Sequence, residues 1–106
     1  MARDREVVRL SILRGRFLKP IILRALNTNQ ILILSELRKN YNRGISAVVR
    51  DLSEEHGIAQ STLKLNARIL KDLSLADFGD RIERKPAVLT EFGRGVIEVI
   101  FGEISG

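Results

Sequence analysis

Between residues 45 and 104 the apolar positions switch from helical spacing to short strand-like runs and back again. Segments at about 45–56 and 60–74 each carry an apolar stripe on one side only, which predicts two amphipathic helices. Gly57 separates them, in the place where a sharp helix-to-helix turn requires a positive φ. Ile58 is an apolar plug inside that turn, and Gln60-Ser61-Thr62 are expected to open the next helix with side chains that satisfy its unpaired N–H groups. Leu75-Ala76-Asp77-Phe78 and Pro86-Ala87-Val88-Leu89 read as the strands of a hairpin, with Gly79-Asp80 supporting its turn. Thr90 is the expected cap of a last helix that runs to about Glu103.

The first half of the chain is patterned less sharply. Asp4 to Arg14 is basic and amphipathic, with Asp4 and Glu6 where a helix N-terminus prefers acids. Gly15 and Pro20 predict a break near residues 15–18 and a second helix from about Leu18 to Leu26. Asn27-Thr28-Asn29 reads as a turn. Ile31 to Leu34 is a short apolar run that periodicity does not assign. Taken as a strand, it makes Ser35 the cap of a helix ending near Asn42; the rival is one helix from Gln30 to Tyr41. No repeat, low-complexity tract or long linker divides the chain. It reads as a single domain over 1–106: an N-terminal amphipathic helix within 1–16, a helix-turn-helix at 45–74, a hairpin at 75–89 and a final helix at 90–104.

A step of about 100° per residue sorts the 60–74 helix into two faces. Leu63, Ala67, Leu70 and Leu73 form the core stripe with Ile69 at its border, while Ser61, Lys64, Arg68 and Lys71 group opposite and Thr62 lies near the boundary. Two residues break the pattern. Leu65 falls among the polar positions, so it either packs on a neighbouring element or meets a thymine methyl in a major groove. Asn66 is polar near the core side and needs an internal partner.

The stretch ISAVVRDLSEEHGIAQSTLKLNARILKDLSLADFGDRIERKPAVLT resembles the winged helix-turn-helix domains of bacterial and archaeal transcriptional regulators. The likeness covers roughly residues 18–100 and is strongest over 45–93, where Leu89-Thr90-Glu91-Phe92-Gly93 resembles the strand-to-helix junction that follows the wing. The order of parts carries it, with no invariant motif. It implies a mainly α fold with a small β-hairpin, and sequence-specific binding of double-stranded DNA. Helix 60–74 would enter the major groove with Gln60, Ser61, Thr62, Lys64, Leu65 and Arg68. The wing, 79–86, would place Arg81, Arg84 and Lys85 on the backbone or in the minor groove. In such proteins a one-bridge strand often pairs with the wing hairpin, the place considered above for Ile31–Leu34. Segment 28–44 is longer than in compact members. Winged-helix domains also serve as adaptors that hold another protein without DNA, and this is the alternative reading.

The composition fits a binding module. A net charge of +5 over 106 residues favours a polyanionic partner. With no cysteine and His56 as the single histidine, no thiolate nucleophile, disulfide framework or histidine cluster is available. Asp51, Glu54 and Glu55 near His56 lack a partner residue with a catalytic role, and Gly93-Arg94-Gly95 is no nucleotide fingerprint. The expectation is a non-enzyme without metal or cofactor. Four Phe, one Tyr and no Trp offer few stacking platforms for single strands, which lowers the weight of RNA. No apolar run approaches a membrane span and Met1-Ala2-Arg3 is not followed by a signal-peptide core, so a cytoplasmic protein is expected; the resemblance to bacterial and archaeal regulators implies a prokaryotic one.

The chain ends carry a surplus of apolar positions. Phe92, Val96, Ile97, Val99, Ile100, Phe101 and Ile104 cover an arc of roughly 200° on the last helix, wider than the ~100° stripe that one core-facing side needs. Val7 to Leu13, including Leu10, has the same excess. The expectation is a two-fold homodimer through the first and last helices, with Val7, Leu10, Phe92, Val96, Ile97, Ile100, Phe101 and Ile104 at the interface.

Overall fold

A capping box at Asn27 decides how the first half of the chain folds. In the computed structural model, which describes residues 18–39 and 42–102, the Asn27 side chain accepts from the Gln30 N–H at 2.8 Å. The Gln30 side chain returns the bond by accepting from the Asn27 N–H at 3.1 Å. Residues 18–25 are helical (α1), ending close to the expected Leu26, while the expected start of this helix falls at the edge of the described residues. Helix α2 runs Thr28–Arg38 directly after the cap. The expected turn at Asn27-Thr28-Asn29, the strand at 31–34 and the cap at Ser35 are therefore all replaced by one helix. The rival reading, one helix from Gln30 to Tyr41, is the nearer one, although α2 begins two residues earlier and already ends at Arg38 with Lys39 as its cap. The amphipathic segment with Val7 and Leu10, the break near 15–18, and Ile104 lie outside the described residues.

The physical reason is the position of α2. Gln30, Ile33, Leu34 and Leu37 form its buried face at helical spacing. Ile31 and Leu32 are half-buried against the same core. The helix touches α3 (Ile45–His56), α4 (Gln60–Asp72), α5 (Glu91–Phe101) and the hairpin strand β2 (Val88–Leu89), so it is apolar on more than one side. That is why its period is hidden.

The helix-turn-helix forms as expected. Gly57 takes φ 68° and its N–H closes α3 on the Ser53 carbonyl, while Ile58 is partly buried against the core. Helix α4 ends two residues short of the expected 74. The Ser74 N–H bonds to Lys71 O and the Leu75 N–H to Leu70 O, both at 2.9 Å, with Ser74 at φ 62°. This is a Schellman closure on a non-glycine residue. Strand β1 (Ala76–Asp77) pairs antiparallel with β2, with Ala76 opposite Leu89 and Asp77 opposite Val88. The backbone hydrogen bond that ties the hairpin to the first half comes from the 42–44 loop, where Arg43 O accepts from Ala87 N at 2.7 Å. Residues 31–34 lie in α2, which packs against β2 as a helix instead of pairing with it as a strand.

Helix α5 starts at its predicted cap. Thr90 Oγ1 accepts from Gly93 N at 2.9 Å and donates to the Ser74 carbonyl, joining the end of α4 to the start of α5. Val96, Ile97 and Ile100 are buried in the chain's own core, which corrects their assignment to an intermolecular face. Helix α5 packs on both α2 and β2, and two neighbours need a wider apolar arc than one. Phe92 and Phe101 remain exposed.

Arg43 also ties α2 to α3 by pairing with Glu36 and Asp51. Partial burial pushes the Glu36 carboxyl up, but hydrogen bonds from Arg43 and Lys39 outweigh it and hold its pKa below the ordinary 4.5. A lowered acid stabilises the fold above its unfolded value and loses that contribution as the pH falls through the folded one. Among the described residues, no helix is long and apolar enough to cross a membrane, and no cluster of His, Cys, Asp or Glu could hold a metal ion.

Candidate nucleic-acid interface

Helix α4 is seated by three apolar side chains and one amide. Leu63, Ala67 and Leu70 are buried, as their spacing predicts. Leu73 was expected to complete the stripe but is 50% exposed. The Schellman closure places it at the helix cap, beyond the last residue of α4.

Asn66 has the internal partners its position demands. Its Oδ1 accepts from Asn27 Nδ2 at 2.9 Å and from Gln30 Nε2 at 3.2 Å. Its Nδ2 donates to the Thr62 carbonyl at 2.9 Å. The two residues that start α2 thus also hold the middle of α4. Replacing Asn66 by Ala takes the acceptor from the buried Gln30 amide and from the part-buried bond of Asn27, at a cost of about 1–3 kcal/mol. A lowered urea midpoint with an unchanged m-value is the expected readout.

With the core side anchored, the other side is free. Gln60, Ser61, Thr62, Lys64, Leu65 and Arg68, the six residues expected to enter a major groove, are all exposed. Leu65 is 63% exposed, so of its two readings, packing on a neighbouring element is not what happens here. The helix start differs from expectation. Ala59 is the N-cap and no side chain caps α4, because Gln60, Ser61 and Thr62 already lie inside the helix or face outward. The first-turn N–H groups are left for solvent or for an anion.

The basic flank of α4 and the base of the wing border a common groove of about 390 Å³. Lys64, Ala67, Arg68, Lys71 and the acid Asp72 line it from α4, Ile45, Ser46 and Val49 from α3, and Phe78, Gly79 and Asp80 from the wing. Lys71 is committed inside this groove: its Nζ donates to the Phe78 carbonyl at 2.7 Å and lies 4.7 Å from the centre of the Phe78 ring. It therefore braces the wing against α4.

At the wing, Arg81, Arg84 and Lys85 are exposed. Lys85 is less available than the two arginines, since its Nζ bonds Asp77 Oδ2 at 3.0 Å across the base of the hairpin. That bond raises the Lys85 pKa and lowers that of Asp77. Sequence reasoning missed Ile82, which is 95% exposed at the tip. A single apolar residue in a charged loop carries no periodic signal.

No protein-family model matches the sequence, and neither does any curated protein. Solved structures do. The transcriptional regulator Tm0710 from Thermotoga maritima superposes with a TM-score of 0.60 at 23% identity, over 95% of this chain and 69% of that one. BpsR from Bordetella bronchiseptica, whose DNA binding is regulated by 6-hydroxynicotinic acid, superposes with a TM-score of 0.58 at 20% identity, over 92% and 70%. The chain thus has a winged helix-turn-helix fold, the architecture of these two regulators.

Proposed function

We propose that this protein is a cytoplasmic regulator that binds double-stranded DNA sequence-specifically, with α4 in the major groove and the wing on the backbone or in the minor groove. The groove shared by the basic flank of α4 and the wing base carries the reading, since it sets a helix and a loop as two supports for one duplex. Gln60, Ser61, Thr62, Lys64, Leu65 and Arg68 are the proposed groove residues, and Arg81, Arg84 and Lys85 the wing contacts. The uncapped start of α4 suits a phosphate, with Ser61 and Thr62 beside it.

The protein is proposed to act as a two-fold dimer, which would present two α4 helices to successive major-groove faces. Exposed Ile21 and Leu23 on α1, and Phe92 and Phe101 on α5, support an interface built from the two chain-end helices.

A gel-shift titration with random duplex DNA at two salt concentrations tests the reading. Affinity is expected to fall steeply with salt, at a slope equivalent to roughly 4–8 phosphate contacts per dimer. Arg68→Ala should erode discrimination between sites by about 1–3 kcal/mol where a base edge is touched. Arg84→Ala should weaken all sequences alike. Undetectable duplex binding at low salt would transfer the fold to the adaptor reading.

A further inference from the structure

We propose that Ile82, at the tip of the wing, enters the minor groove of duplex DNA and packs against its deoxyribose walls. This rests on the DNA-binding reading above. No other large apolar side chain among the described residues is as exposed as Ile82, at 95%, and nothing inside the fold accounts for an isoleucine there.

The tip is a built structure. The Asp80 carboxylate accepts from the N–H groups of Ile82 at 2.8 Å and Glu83 at 2.7 Å. The Asp80 N–H in turn donates to the Glu83 carbonyl at 2.9 Å. Three bonds thus close a turn over 80–83 and present Ile82 at its apex. The same N–H donors hold the Asp80 carboxyl below its ordinary range.

The flanking charges select the partner. Arg81 and Arg84 stand on either side of Ile82, exposed and without an ion-pair partner among the described residues. The tip also carries two carboxylates: that of Asp80 is turned onto the N–H groups of Ile82 and Glu83, and that of Glu83 is exposed. It is therefore the geometry of the apex with these two unpaired guanidiniums, and no net charge, that suits a polyanion. An apolar apex between two cations complements a channel with phosphate rims and sugar walls. At about 6 Å across, the minor groove admits one side chain on a turn but not a helix. Packing on the walls needs no unstacking of base pairs, whereas full insertion between them does.

Fluorescence anisotropy on a duplex selected by the wild-type protein tests this, using Ile82→Ser and Ile82→Leu. Both variants are expected to melt as the wild type does, because Ile82 lies outside the core. Ile82→Ser should bind about tenfold more weakly, or about 1.4 kcal/mol. The slope of log K on log salt should not change, since no phosphate contact is lost. Ile82→Leu should stay within about threefold. Replacing adenine by 2,6-diaminopurine puts an amino group on the minor-groove floor, and should weaken the wild type more than Ile82→Ser. Wild-type affinity in Ile82→Ser, or equal sensitivity of both proteins to the added amino group, overturns the inference and leaves the DNA-binding reading standing. Failure of the wild type to bind any duplex overturns both.

Discussion

Replacing Ile97 by glutamate is expected to unfold the domain, with loss of the helical circular dichroism signal at low urea. Ile97 is 2% exposed and lies on the buried face of α5 with Val96 and Ile100. The core cluster that Ile97 belongs to is built of aliphatic side chains, which carry no group that could neutralise a carboxylate. An unpaired charge in such a place costs roughly 4 kcal/mol or more. A small domain has only ~5–15 kcal/mol to lose. Phe92→Glu is the contrasting variant, since Phe92 is 62% exposed on the same helix. It should keep the wild-type melting behaviour and shift sedimentation equilibrium at micromolar concentration towards the 12.0 kDa monomer. A folded Ile97→Glu protein would contradict the packing of α5, and a clean wild-type monomer would remove the dimer.

Gly93→Ala should cost about 3 kcal/mol or more, far beyond the usual effect of adding a methyl group to a helix. Gly93 is buried in the first turn of α5. A Cβ there would come within 2.9 Å of the Leu75 carbonyl carbon and closer still to its oxygen. Both atoms are backbone, so no rotamer change relieves the overlap. Leu75 is also held on the other side, by its N–H bond to Leu70 and by the Thr90 N–H bond to its carbonyl. Relief must come from moving the end of α4 away from the start of α5. Urea denaturation of Gly93→Ala beside Gly95→Ala isolates the effect, because a Cβ at Gly95 meets nothing within 4 Å. Comparable midpoints for the two variants would refute the close approach.

The second half of the chain was legible because each of its elements carries its own local punctuation. Gly57 needs a left-handed turn, Thr90 is a cap, and Asn66 is out of place unless an amide partner waits for it. All three are found so. The first half was harder because α2 lies between several neighbours, and an apolar run such as Ile31 to Leu34 has the same composition in a buried strand and in a central helix. The capping signal was present at Asn27 and Gln30, but Asn27-Thr28-Asn29 also has turn chemistry. For α5, the width of the apolar arc was visible while its cause was not. Packing on two elements of one chain and packing on one element plus a second copy leave the same pattern. Within the candidate interface, exposure of the α4 residues followed from periodicity. Lys85 with Asp77, Lys71 with Phe78, and the projection of Ile82 depend on how the hairpin folds back, which spacing does not encode.

The amide cluster of Asn27, Gln30 and Asn66 contains no ionisable group. Hydrogen bonds between neutral amides are nearly indifferent to ionic strength, whereas Lys and Arg contacts to phosphate weaken with every added counterion. The seat of α4 and the grip on a polyanion proposed for it therefore answer to different variables. Rising salt should lower occupancy of all sites together while leaving their rank order intact. The ionic environment would then act on this protein as a gain control, with the choice of sequence held constant by three uncharged side chains.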